Sequence, residues 1–205
     1  MYVADKGNNR LQAFSAAGKF LRSVPLAETG AAVTPVDVVV ATDGKTIFVT
    51  ANNTHRVVVI ARDGTVQRGW GGNGAEPGQF NYPATLTLDS SGRVLVVDVL
   101  NSRVQAFDAA GAPLAQFGAQ GAKPGDLFRP KGIAVDGQGR IFVSDSYLGV
   151  VQAFTADGQF IGVLGSGGQP ARFQAPTGLA FAGGRLFVTD MLAGKVLAYE
   201  LEASP

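Results

Sequence analysis

The chain has 205 residues, of which 46% are hydrophobic and 16% charged, so it can bury one core while carrying fewer charges than the roughly one quarter of an ordinary domain. Its 17 basic and 16 acidic residues leave a net charge of +1. A balance this even gives no electrostatic reason to expect nucleic acid or an anionic membrane as a partner. The absence of cysteine excludes disulfides, thiolate zinc sites and cysteine nucleophiles.

The first ten residues, MYVADKGNNR, lack the basic patch and apolar run of a secretory leader. We therefore expect a cytoplasmic chain, or one exported as part of a longer precursor. Apolar stretches are broken every few residues by Gly, Asp or Pro, and none approaches the roughly 20 residues of a membrane span. The 28 glycines and 10 prolines instead indicate many tight turns between short strands.

Five similar segments follow one another along the chain, beginning with YVADKGNNRLQAF and ending with FVTDMLAGKVLAY. An anchor position, acidic in four of the five copies, recurs about every 46 residues, a spacing typical of four-stranded propeller blades. The anchors are Asp5, Ala51, Asp98, Asp145 and Asp190. The recurrence predicts one structural unit repeated five times.

Each copy predicts the same order of strands. The first strand follows a proline (Pro35, Pro83, Pro130, Pro176), and the second ends at the anchor. After a four-residue loop, the third strand ends in a large apolar residue: Phe14, Ile60, Phe107, Phe154 or Tyr199. A hairpin turn containing glycine (Gly18, Gly64, Gly111, Gly158) leads to the fourth strand. Such sheets bury their faces only by stacking around an axis, which predicts an all-β propeller of antiparallel blades.

The recurring V-x-D-x-x-x-x-R-[VL]-Q-A-F pattern, with G-x-x-G-x-x-P-G-x-F-x-x-P linkers, resembles the NHL repeat. The resemblance covers essentially the whole chain as a single domain, 1–205, with blades at about 1–25, 34–70, 82–117, 129–164 and 175–201. It implies a propeller that usually has six blades. Because the first copy lacks a first strand and the last lacks a fourth, we expect about four and a half blades in an incomplete or open ring. Exposed blade edges would then favour self-association.

Several motifs that resemble catalytic or binding sites are better explained by structural roles. The segment from Gly69 to Gly74 matches G-x-G-x-x-G, but no helix pattern follows it, so it is interpreted as a linker between blades. An Asp anchor with a basic residue five positions on recurs along the chain (Asp5/Arg10, Asp98/Arg103, Asp190/Lys195), which indicates a loop-tying pair. His55 is the only histidine, too few for a zinc site of several histidines. No cofactor is expected; calcium on Asp37, Asp89 or Asp136 is the alternative left open.

Function is expected on the face that carries the linkers and the loops between second and third strands. Candidate binding residues there are Asn9, Asn53, His55, Leu100, Asn101, Arg129, Lys131, Tyr147, Leu148, Met191 and Leu192. Apolar side chains on loops indicate a protein or peptide contact. The predicted function is therefore a non-catalytic binding scaffold, and we expect it to be part of a larger bacterial protein. Two alternatives stay open. One is a propeller hydrolase or lyase with a divalent cation in the central channel. The other is RNA binding, although the interleaved aromatic and basic residues that RNA recognition requires are sparse.

Overall fold

The computed structural model describes residues 1–28 and 31–201, and this part of the chain consists of strands, turns and two short 3₁₀ segments. The 3₁₀ segments are Lys6–Asn8 and Val99–Asn101, in the loops after two of the anchors. Among the described residues, no helix has the length and apolar character needed to cross a membrane.

Five antiparallel sheets follow one another in chain order as blades 1 to 5. Blade 1 contains β1 (Tyr2–Asp5), β2 (Arg10–Phe14) and β3 (Phe20–Pro25); a small hairpin, β4 (Ala27–Glu28) and β5 (Ala31–Ala32), follows it. Blade 2 contains β6 (Pro35–Val40), β7 (Thr46–Ala51), β8 (Arg56–Ala61) and β9 (Val66–Gly71). Blade 3 contains β10 (Pro83–Leu88), β11 (Val94–Asp98), β12 (Arg103–Phe107) and β13 (Pro113–Phe117).

Blade 4 contains β14 (Pro130–Val135), β15 (Ile141–Asp145), β16 (Val150–Phe154) and β17 (Phe160–Val163). A second small hairpin follows, β18 (Gly165–Ser166) and β19 (Gln169–Pro170), and blade 5 contains β20 (Pro176–Ala182), β21 (Arg185–Asp190) and β22 (Lys195–Glu200). The propeller prediction is confirmed. The expected number of four and a half blades is imprecise, because the described residues form five blades, of which three are four-stranded and the first and last are three-stranded.

Each anchor lies opposite the residue five positions later, as Asp98 lies opposite Arg103 and Asp145 opposite Val150. The four-residue loop between these strands therefore fixes the register of the blade. Because strand residues alternate between the two faces of a sheet, one set of side chains meets the preceding blade and the other meets the following blade.

Neighbouring blades interlock through an aromatic side chain and a glycine. Phe154 on the third strand of blade 4 is 1% exposed, and its ring centroid lies 4.8 Å from that of Phe117 on blade 3. Gly158 in the following hairpin leaves room for Phe117, since a Cβ at Gly158 would lie 2.6 Å from that ring. Trp70 and Gly111 repeat the arrangement between blades 2 and 3. These contacts make the apolar residue at the end of the third strand a packing element between blades.

The outward face of blade 5 has no such neighbour among the described residues. Phe142 and Val151 of blade 4 are 3% and 0% exposed because blade 5 covers them. Val196, which occupies on blade 5 the position of Val151, is 66% exposed. At the other end, Val3 of blade 1 is 42% exposed.

Two small hairpins, β4–β5 and β18–β19, are absent from the sequence prediction. They lie in the two linkers that lack a Pro-Gly pair. Where a Pro-Gly pair is present, a third-strand glutamine binds its glycine: Gln105 Oε1 accepts the Gly78 amide at 3.0 Å, and Gln152 Oε1 accepts the Gly125 amide at 3.0 Å. Blades 2 and 5 have Val58 and Leu197 at the glutamine position.

Candidate binding face

The anchor carboxylates bind the backbone of the linkers that precede their blades. Asp98 Oδ1 accepts the Asn81 amide at 2.7 Å, while Oδ2 accepts Nε of Arg103 at 2.9 Å. Asp145 accepts the Phe128 and Arg129 amides, and Asp190 accepts those of Gln174 and Ala175. Their recurrence and geometry fit the loop-tying interpretation, since every oxygen named here receives a donor from the protein itself.

Blade 2 has Ala51 at the anchor, and a neighbouring carboxamide takes over the linker contact. Asn53 Oδ1 accepts the Thr34 amide at 2.9 Å, and its Nδ2 donates to the Ala32 carbonyl at 2.9 Å. Asn9 Oδ1 accepts the Thr34 hydroxyl at 2.7 Å, and Asn101 donates to Asp98 and to the Gly74 carbonyl. Three of the predicted binding residues, Asn9, Asn53 and Asn101, thus hold loops and linkers in place.

His55 is also part of the linker architecture. Its Nδ1 accepts the Tyr82 amide at 3.2 Å, its Nε2 lies 3.1 Å from Nδ2 of Asn73, and its ring packs edge-on against Tyr82. His55 has φ 53°, and the matching residues before the other third strands, which include Asn9 and Gly149, have positive φ as well. The residue type at this position differs among the copies, but every copy has a left-handed backbone there.

The apolar loop residues behave differently, because they are exposed. Leu100, Tyr147, Met191 and Leu192 are 51%, 66%, 60% and 67% exposed, and Leu148 is half-buried. Tyr147 stacks on Phe128 with ring centroids 4.2 Å apart. These side chains leave apolar surface on the loops between the second and third strands of blades 3, 4 and 5, on one face of the molecule.

A cavity of about 590 Å³ opens at the linker-side mouth of the central channel and is lined by residues from all five blades. Its lining residues are Lys6, Val36, Asn52, Tyr82, Pro83, Ala84, Thr85, Val99, Leu100, Arg129, Lys131, Thr177 and Gly178. The cavity thus brings together three of the predicted residues, Leu100, Arg129 and Lys131. Burial, followed by the nearby charge of Arg129, lowers the pKa of Lys131, while Asp145 acts to raise it and Lys6 to lower it.

Ten of the thirteen lining residues are missing from the sequence prediction, among them Lys6, Asn52 and Tyr82. Lys6 and Asn52 directly follow anchor positions, and Tyr82 precedes a first-strand proline as Arg129 does. The signal that nominated Arg129, a basic side chain on the linker-side face, applies equally to Lys6. Tyr82 has φ 60°, an uncommon conformation for an aromatic residue, and the His55 contact helps to hold it there.

The three candidate calcium ligands lie in different surroundings. Asp37 lines a second cavity of about 420 Å³ in the channel, where it accepts the Val38 amide at 2.8 Å and the Leu86 amide at 3.1 Å. Burial raises the pKa of Asp37, although these two hydrogen bonds act to lower it. Asp89 and Asp136 instead cap turns between first and second strands, each paired with an arginine four residues on. Residues 1–28 and 31–201 contain no cluster of three or more histidine or acidic side chains that could hold a metal.

The family comparison locates a repeat in blade 3. The family model for the NHL repeat matches residues 80–107, which extend from the linker before blade 3 to the end of its third strand. The chain carries an NHL repeat. It is also 43% identical over 54 residues to the human NHL repeat-containing protein 3, a match that covers 26% of this chain and 16% of that protein. The mouse NHL repeat-containing protein 3 matches at the same identity over the same length.

Solved structures share the fold at low identity. A catalytically inactive virginiamycin B lyase from Staphylococcus aureus, solved with quinupristin, aligns with a TM-score of 0.70 and 19% identity. That alignment covers 96% of this chain and 61% of the lyase. A structure of a nidogen/laminin complex aligns with a TM-score of 0.76 and 20% identity over 98% of this chain and 71% of that one. The chain therefore spans less than two thirds of the lyase, and at these identities the likeness shows the propeller fold alone.

Proposed function

We propose that this NHL-repeat chain is a non-catalytic binding scaffold that takes a protein or peptide partner on its linker-side face. The observation that carries the proposal is the exposure of Leu100, Tyr147, Met191 and Leu192 on loops. Apolar side chains grouped on one face and bordered by polar residues are typical of protein contact sites. The cavity at the channel mouth, next to Leu100, adds a concave region to this face.

A selection experiment tests the proposal. A display library of random peptides of about 12 residues is selected on the wild-type chain and on the Leu100→Ser/Leu192→Ser variant. We expect peptides that bind the wild type and lose at least about tenfold in affinity on this variant. The matched control is Leu114→Ser/Ile161→Ser, which removes side chains 55% and 49% exposed on fourth strands. Equal losses in both variants, or no selected peptide, would contradict the proposal.

A second candidate is a propeller hydrolase or lyase that uses a divalent cation in the channel. Asp37 favours it, because a mostly buried carboxylate with a raised pKa lines a cavity there. Calorimetric titration with calcium tests this candidate. Binding that is lost in Asp37→Asn and retained in Asp89→Asn would support it, whereas no heat of binding in the wild type would contradict it.

The arrangement of the five blades also bears on function. We infer that the five blades form an open arc, in which the end faces marked by Val3 and Val196 provide surfaces for self-association. Val3 and Val196 are 42% and 66% exposed, which supports this inference, because the faces where consecutive blades meet are covered by packing.

A further inference from the structure

Basic side chains from distant blades meet at the linker-side channel mouth. Lys6 comes from blade 1, whereas Arg129 and Lys131 come from blade 4, and all three line the same cavity. Lys6 and Arg129 both lie close enough to Lys131 for their charges to act on it. The fold thus holds like charges together, although their mutual repulsion disfavours the arrangement in the absence of an anion.

Acidic side chains do not offset this charge within the cavity. Among the residues that the structure describes, the lining contains no Asp or Glu and none of the three basic residues forms a salt bridge. Asp145 is the acid that acts on Lys131, but its two oxygens accept four backbone amides, those of Phe128, Arg129, Tyr147 and Leu148. Its lone pairs are therefore engaged by the loops.

We propose that Lys6, Arg129 and Lys131 bind carboxylates of an acidic peptide segment whose apolar side chains contact the exposed loop residues around the mouth. The inference rests on the proposed function and specifies the chemistry of the partner. A carboxylate in the cavity supplies the missing counter-charge, and the partial burial of Lys131 strengthens its attraction relative to that of an exposed pair.

Two features favour an acidic peptide over a nucleic acid. The cavity lining holds three basic residues, and the chain as a whole carries only +1, whereas nucleic-acid sites extend positive charge along a backbone track. Apolar residues such as Val36, Val99 and Leu100 also line the cavity, and Tyr82 is the one aromatic side chain among its described lining residues. Stacking on successive bases requires several aromatic side chains.

Fluorescence anisotropy with defined probes tests the inference. The probe is a labelled, end-blocked peptide of about eight alternating Glu and Leu residues, compared with a Gln/Leu peptide and an oligouridylate of equal length. We expect the Glu/Leu peptide to bind at least about tenfold more tightly than both others, and its affinity to fall as NaCl rises from about 50 to about 500 mM.

Matched charge variants localise the effect. Lys6→Gln/Lys131→Gln should weaken Glu/Leu binding at least about tenfold. Lys19→Gln/Lys45→Gln removes the same charge from exposed hairpins and should leave affinity unchanged. Because Lys131 is partly buried, Lys6→Gln alone is measured as well, with a smaller loss expected and with thermal melting as a check on folding.

The possible failures are distinct. Equal binding of the Gln/Leu peptide that is lost in Leu100→Ser/Leu192→Ser would overturn the carboxylate inference and leave the scaffold proposal standing. Tighter binding of the oligouridylate would overturn the inference in favour of RNA. No binding of any probe, or equal weakening by both lysine pairs, would overturn it as well.

Discussion

The carboxylate of Asp98 and the guanidinium of Arg103 form a buried ion pair, with Oδ2 of Asp98 2.9 Å from Nε of Arg103. The Asp98 side chain is fully buried, and that of Arg103 is 8% exposed. The same pair in blade 1, Asp5 with Arg10, is 18% and 37% exposed. One sequence motif thus produces a buried pair in blade 3 and a more solvated pair in blade 1.

This difference predicts unequal effects of removing the acid. Asp98→Ala should lower the free energy of unfolding by about 3–5 kcal/mol, because it leaves the Arg103 charge buried without its partner. Asp5→Ala should lower the free energy of unfolding by much less, since water solvates Arg10. Urea denaturation of both variants measures the difference, and equal losses would contradict the assignment of the two environments.

Gly158 and Gly18 form a matched pair for testing blade packing. Both have positive φ, 80° and 76°, so alanine is strained at either position. Only at Gly158 does the new Cβ meet an aromatic ring, that of Phe117, whereas nothing lies within 4 Å at Gly18. Gly158→Ala should therefore be less stable than Gly18→Ala by about 1–3 kcal/mol in urea denaturation. Equal stability of the two variants would show that Phe117 does not pack against this hairpin.

Phe154 provides a direct measure of the packing between blades 3 and 4. Phe154→Ala should lower the free energy of unfolding by about 3–5 kcal/mol, because it opens a cavity among Phe117, Phe160 and neighbouring buried residues. Phe20→Ala serves as the control, since Phe20 is 51% exposed. A melting temperature of Phe154→Ala close to that of the wild type would be incompatible with the stacked blades.

Asp37 and Asp89 should titrate on opposite sides of the ordinary aspartate pKa of 3.8. Burial raises the pKa of Asp37. At Asp89 burial acts in the same direction, but hydrogen bonds from Ser91 and Arg93 outweigh it and lower the pKa. Carboxyl ¹³C chemical shifts followed against pH, with Asp37→Asn and Asp89→Asn for assignment, measure both. A midpoint for Asp37 below that of Asp89 would refute the described surroundings.

The two titrations have opposite consequences for stability. Since the pKa of Asp89 is depressed in the folded state, its contribution to stability is present above the unfolded pKa and is lost as pH falls through the folded value. The raised pKa of Asp37 acts in the other direction, so its contribution is present below the unfolded pKa and is lost as pH rises through the folded value. Comparing unfolding free energies of each asparagine variant with the wild type across this acidic range tests the two signs.

Self-association through the end faces is tested by changing Val196, which is 66% exposed. The wild-type chain should sediment with a concentration-dependent coefficient, and Val196→Lys should reduce that dependence with little change in melting temperature. The expected reason is that a charge on an unpaired sheet face opposes its burial. A wild-type chain that sediments as a concentration-independent monomer would contradict the association.

The strand order and packing positions were readable from the sequence because each depends on contacts repeated in every blade. The prolines that open the first strands and the glycine before each fourth strand are examples, and Gly111 has the positive φ that the hairpin requires. The two small hairpins were not predictable, because they occur once each in linkers without a repeated pattern. At the channel mouth, Lys6 and Lys131 are 125 residues apart in sequence, and only the stacking of blades around an axis brings them together.

The central claim is that the linker-side face is the working surface of this propeller. Amide hydrogen exchange, measured with and without a peptide selected on the wild-type chain, tests it most directly. We predict protection in the loops at residues 99–102, 146–149 and 191–194, with no change in the hairpin turns at 62–65, 109–112 and 156–159. Protection confined to those hairpin turns would contradict the account.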